Sequence, residues 1–137
     1  LEVITMVRID AIYDGELRCT ATHVPSGRTL VTDAPVDNHG KGESFSPTDL
    51  LATSMLTCVM SIIAIHAELR GLDVSGMHGS VEKHMSAKPR RIGKLEVEIT
   101  LPDGLSSESR ALLISKGCEC PVHKSVNEDM EVEINFI

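Results

Sequence analysis

The chain has 137 residues, 42% of them hydrophobic and 24% charged, which suits a single domain with one real core. Its net charge of −7 and its 2% aromatic content argue against nucleic-acid binding. An acidic surface repels phosphate, and few rings are available to stack on bases. With no Trp, the core has to be aliphatic.

The elements follow in order. Val7, Ile9 and Ile12 begin an alternating strand, and Asp14-Gly15 marks a hairpin. Leu17 to Val24 returns, Ser26-Gly27 turns again, and Thr29 to Thr32 forms a third strand. Asp33 to Glu43, rich in Asp, Asn, Gly and Pro, is a loop of the length that often carries function. Ser46 then caps a helix, with Pro47 at its first position and Asp49 three after the cap, as in a capping box. Leu51, Met55, Cys58, Ile62, Ile65 and Leu69 recur along it at helical spacing, and Gly71 ends it.

Leu50 to Ala67 holds no charged residue and is long enough to span a membrane. Thr53, Ser54, Thr57, Ser61 and His66 interrupt it, and Asp49 and Glu68 flank it. It reads instead as a helix buried on most sides, with no membrane partner. Leu1 to Thr5 has neither the basic start nor the apolar run of a leader, and Met6 is a candidate natural start.

A strand from Val74 leads into a β-hairpin, Ser80 to Lys83 and Leu95 to Leu101. The connection from Met85 to Gly93 is basic, with Lys88, Arg90 and Arg91. Ser106 to Lys116 is an amphipathic helix stopped by Gly117. Cys120 caps a short helix opened by Pro121, and Glu131 to Ile137 alternates as a closing strand with an acidic, solvated face. The order βββ-α-ββ-αα-β indicates an α+β class.

Four cysteines, Cys19, Cys58, Cys118 and Cys120, sit in a chain with no secretory signature. That points to a cytoplasmic protein whose thiols react or bind metal, in preference to structural disulfides. Cys58 lies too deep in its helix for the dipole to help, so a reactive thiolate there needs a cation from elsewhere in the fold. Cys120, before Pro at a helix start, sits among unpaired N–H groups and is expected to be the more acidic thiol. Cys118, Cys120 and His123 have ligand-like spacing for zinc, although a second paired cluster is missing. His66 reads as a satisfied core residue, and His39 and His84 as solvated.

Two segments together carry a resemblance. Ser46-Pro47-Thr48-Asp49-Leu50-Leu51-Ala52 followed by Cys58, and Gly117-Cys118-Glu119-Cys120-Pro121-Val122, resemble the two cysteine motifs of the OsmC/Ohr (osmotically inducible protein C) family. The stretch from Thr32 through Glu43 resembles its broader OsmC-like branch. The resemblance implies an OsmC-like fold over residues 1–137, with antiparallel sheets wrapped around a long buried helix in an intertwined homodimer. It implies thiol-dependent reduction of organic hydroperoxides, with Cys58 peroxidatic, Cys120 resolving, a dithiol reductant, and no metal or organic cofactor. Arg18, or else Arg28, would support the Cys58 thiolate. The family's helix-start Glu falls here on Thr48, with Asp49 one step later, so Asp49 is either the catalytic acid or only a cap. Cys118 is an additional thiol that could compete with Cys120. The alternatives are a non-enzymatic protein of this type that binds a small apolar ligand or senses oxidants, and a metal-binding module built on Cys118, Cys120 and His123.

Overall fold

The computed structural model describes residues 6–137. The reading of Leu1 to Thr5 lies outside the described residues. The chain divides into two compact units, one ending at Leu50 and the other starting at Leu51.

The first unit is a three-stranded antiparallel meander, β1 (Ile9–Gly15), β2 (Arg18–His23) and β3 (Arg28–Asp33). The Ser26-Gly27 turn falls where expected, whereas Asp14 and Gly15 end β1 and the first hairpin turns one step later, at Glu16-Leu17, both at positive φ; a bulge between Tyr13 and Gly15 shifts the β1–β2 register. That register puts Ala11 opposite Ala21 and Ala21 opposite Leu30, on the face that also carries Ile9 and Tyr13. Around these apolar residues, with His23, Arg28 and Thr32 at the margins of the same face, Ile9, Tyr13 and Leu30 are exposed.

After β3 the loop makes a 3-10 turn, Val36–Asn38, and folds back so that Asp33 N–H donates to the Phe45 carbonyl (3.0 Å). Gly40 is required there, because a Cβ would come within 1.7 Å of the Ala34 carbonyl oxygen.

Helix α1 (Pro47–Leu69) starts at the expected capping box. Asp49 N–H donates to Ser46 Oγ (3.1 Å), and Ser46 N–H donates to Asp49 Oδ2 (2.9 Å). Its length and apolar character meet the requirement for a membrane span, but one stripe of it forms the core of the second unit.

The sheet of that unit has the order β4 (His78–Ser86), β5 (Arg91–Thr100), β6 (Glu131–Phe136). The helices α2 (Ser107–Gly117) and α3 (Pro121–Ser125) lie between β5 and β6 in sequence. Ala52, Met55, Val59, Ile63 and Ala67 of α1 join Leu95, Val97, Ile99 and Leu113 in one buried cluster. On the opposite face of the sheet Lys94 bridges Glu96 (2.9 Å) and Glu133 (3.2 Å).

Four expectations need correction. The buried stripe of α1, Ala52, Met55, Val59, Ile63 and Ala67, shares only Met55 with the series Leu51, Met55, Cys58, Ile62, Ile65, Leu69; Ile65 is 52% and Leu69 73% exposed. The apolar arc of the helix is wider than the stripe that the core buries, so spacing could not choose within it. Within this chain α1 is covered on one side, not most sides. The strands form two separate sheets that are not all antiparallel, since β6 pairs with β5 in parallel. The chain between them holds two helices, long enough for the crossover a parallel pair demands. Val74 lies before β4, which runs on to Ser86, so the connection to Arg91 is short.

Candidate functional site

The second unit brings two of the expected residues together. Cys58 is half-buried on α1, and Cys120 is fully buried. The two thiols are close enough to interact and remain free, as do Cys19 and Cys118.

The local sequence explains this approach. Gly117, the last residue of α2, packs directly on α1, where a Cβ would meet Ile63 Cδ1 at 3.0 Å and Val59 Cγ1 at 3.2 Å. Val59 is the next residue after Cys58, and Cys120 follows three residues after Gly117. The missing side chain therefore lets the α2–α3 turn sit against α1 beside Cys58. Gly117→Ala forces Ile63 and Val59 aside and is expected to destabilise the unit by about 1–3 kcal/mol. A denaturant midpoint unchanged from the parent protein would contradict this packing argument.

Cys120 is the N-cap of α3, with Pro121 at the first helical position, and His123 N–H donates to its Sγ (3.5 Å). Even so, it is not the acidic thiol that its position suggests. Burial pushes its pKa up, the neighbouring Cys58 pushes it further, and the N–H groups of His123 and Val122 offset only part of this. Desolvation wins because a three-centre sulfur contact at a five-residue helix supplies a weak dipole, while the thiol itself is sealed from water.

The fold therefore holds the Cys120 proton more tightly than the unfolded chain does. Its contribution to stability is complete below the ordinary thiol pKa and is lost as pH rises through the raised value. A reaction that needs the Cys120 thiolate should likewise keep accelerating with pH above the ordinary thiol range. Stopped-flow measurement of Cys58–Cys120 disulfide formation against pH checks this. A plateau at or below the ordinary range would contradict it.

In the first unit Arg18 is bound by two carboxylates, Glu43 (3.1 Å) and the buried Asp33 (3.5 Å). Asp33 Oδ2 also accepts from Glu43 N–H (2.9 Å), and this bond, with the Arg18 charge, holds its pKa below the usual carboxylate range. Arg28, the other candidate cation, is exposed at the end of β3. Asp49 is engaged in the capping box described above. Sequence reading missed Asp33 and Glu43 as partners of Arg18. The available signal was an acid at the end of the strand paired with β2, in register with Arg18 itself.

The zinc set is not assembled. Among the described residues, the His, Cys, Asp and Glu side chains whose ligand atoms converge as a group of three are Glu82, His84 and Glu96, on the polar face of the second sheet. There His84 and Lys94 contact Glu96. Cys118 is exposed while Cys120 is buried, and the ligand atoms of Cys118, Cys120 and His123 do not converge as a group of three. His66 is half-buried and within 3.1 Å of Arg70 Nη1.

The OsmC-like protein family matches residues 40–135. A solved structure from Psychrobacter arcticus 273-4, a candidate osmotic stress induced and detoxification response protein, is 39% identical. It covers 100% of both chains with a TM-score of 0.91. An organic hydroperoxide resistance protein OsmC from Legionella pneumophila is 20% identical over 98% of both chains, with a TM-score of 0.74. The organic hydroperoxide resistance protein OhrB of Bacillus subtilis is 17% identical, with a TM-score of 0.68, over 97% of this chain and 98% of its own. At those identities the last two share the fold. No curated protein is similar enough to match.

Proposed function

We propose that this chain, which belongs to the OsmC-like protein family, is a thiol-dependent peroxidase acting on organic hydroperoxides. The observation that carries the reading is the closely placed Cys58–Cys120 pair, two free thiols packed against an aliphatic core. That the Legionella and Bacillus proteins of the same fold are organic hydroperoxide resistance proteins supports it.

The chemistry closes without a metal or organic cofactor. Cys58 sulfur attacks the outer peroxide oxygen, the O–O bond breaks, and the alcohol leaves with a proton, giving a Cys58 sulfenic acid. Cys120 sulfur then attacks that sulfenic sulfur and expels water, forming the disulfide. A dithiol returns two electrons and two protons, and itself becomes a disulfide. Such a cycle belongs in a reducing compartment, in keeping with a cytoplasmic protein. Aliphatic surroundings favour a peroxide with an apolar tail.

Arg18 is assigned over Arg28 as the cation supporting the Cys58 thiolate. Its guanidinium is already oriented by Asp33 and Glu43, and its five donors can serve more than one anion. Asp49 fixes the start of the helix that carries Cys58, and is assigned a positioning role.

The working unit is assigned as a homodimer. A three-stranded sheet needs a covered apolar face to be stable, and the face bearing Ile9, Tyr13 and Leu30 is exposed in a single chain. So are Ile65 and Leu69 on α1. A second copy, which carries the same faces, can cover both.

Steady-state assay with a dithiol tests the activity. Cumene hydroperoxide should be consumed at least about tenfold more efficiently than hydrogen peroxide. If neither is consumed and Cys58 remains a thiol, the pair serves instead in a non-enzymatic ligand-binding or sensing protein.

A further inference from the structure

The second unit holds a third thiol that the proposed cycle does not use. Cys118 is exposed, Cys58 is half-buried, and Cys120 has no exposed surface at all. Cys118 and Cys120 are separated only by Glu119, in the turn between α2 and α3. Two residues of chain span at most about 7 Å, so their Cα atoms stay within the range a disulfide allows. Cys118 closes α2 as its C-cap, and its N–H is bonded to Ile114 (3.2 Å), so it sits at a helix end and not in a helix interior.

A Cys58–Cys120 disulfide would present one sulfur sealed from solvent and another half-buried on a helix. An incoming thiolate must approach along the S–S axis, and exchange depends on that access. A bulky reductant on the surface meets Cys118 first.

We propose that Cys118 is a relay thiol that carries reducing equivalents from a protein dithiol at the surface to the buried Cys58–Cys120 disulfide. The proposal rests on the peroxidase reading above. Cys118 thiolate attacks the Cys120 sulfur, the Cys58–Cys120 bond breaks, and Cys58 leaves as thiolate. The product is a Cys118–Cys120 disulfide in the turn. The external dithiol then reduces that exposed bond, giving back both thiols and leaving as its own disulfide. No net electrons move in the first exchange, and two are delivered in the second. Cys58 is thus released before the external reductant has acted.

The test uses the full chain oxidised with one equivalent of cumene hydroperoxide, then reduced in separate experiments with dithiothreitol and with a thioredoxin-type protein dithiol. Cys118→Ser should form the Cys58–Cys120 disulfide at the parent rate. Its reduction by the protein dithiol should be slowed by about tenfold or more, and by the small dithiol much less. In the parent protein, acid quenching and alkylation partway through reduction should yield a Cys118–Cys120 peptide with Cys58 alkylated. Equal reduction rates in parent and Cys118→Ser, or a quenched sample with only Cys58–Cys120 and fully reduced species, overturns the relay. If peroxide never produces a Cys58–Cys120 disulfide, the peroxidase reading fails instead.

Discussion

Cys58→Ser loses organic hydroperoxide consumption by about a thousandfold or more, while the protein folds with near-parent stability. The hydroxyl of serine is far less nucleophilic toward peroxide than a thiolate, and it cannot hold the two-electron oxidation that a sulfenic acid stores. Serine is close in size to cysteine, and Cys58 is only half-buried, so the core beside Val59 and Ile63 is not opened. Cys120→Ser behaves differently. The first turnover is retained, Cys58 stalls as sulfenic acid, and excess peroxide carries it to the sulfinic state. The two variants therefore separate the thiol that meets peroxide from the thiol that resolves it. Equal loss of the first turnover in both would contradict the assignment of roles.

Ile65→Asp should convert the proposed homodimer to monomer, raising the dissociation constant by about a hundredfold or more. Ile65 lies on the uncovered side of α1 and is 52% exposed in the single chain. If a second copy covers that side, a two-fold interface buries the substitution twice, and each unpaired carboxylate loses its hydration. In a monomer the same change adds a charge to an exposed helix position and costs little. Sedimentation velocity distinguishes these cases. A parent protein that sediments as a monomer, or a variant that remains a tight dimer, would contradict the assembly.

Much of the fold was legible because local signals agreed with one another. Ser46, Pro47 and Asp49 marked the start of α1 to the residue, and the cap geometry is the reciprocal one that the spacing implies. The Ser26-Gly27 turn placed the second hairpin of the first meander, Asp14-Gly15 marked the first only to within two residues of its turn at Glu16-Leu17, and Cys120-Pro121 placed α3.

Three features were not legible. The buried stripe of α1 was only partly placed because Leu51, Leu56, Val59, Ile62, Ile63 and Ile65 spread over about half of the helix circumference, wider than the stripe that the core buries. The parallel pairing of β6 with β5 depends on where the α2–α3 crossover returns, which strand alternation does not encode. Gly117 read only as a helix stop, although it sits inside α2 as the point of close approach to α1.

The candidate site divides along the same line. That Cys58 and Cys120 matter could be argued from Cys-Pro at a helix start and from family resemblance. Their contact depends on Gly117 packing against Val59 and Ile63, which is tertiary. The acidity of Cys120 was misjudged because its cap position is written in the sequence and its burial is not. The Arg18–Asp33–Glu43 cluster likewise depends on β2–β3 register and on a loop folded back over it.

The central claim is that Cys58 and Cys120 form one redox pair. Its most direct test is to reduce the protein, add one equivalent of cumene hydroperoxide, and map the cysteines by peptide mass spectrometry. The account predicts rapid formation of a Cys58–Cys120 disulfide that is absent in Cys58→Ser. A Cys58 that stays a free thiol with peroxide in excess would contradict it.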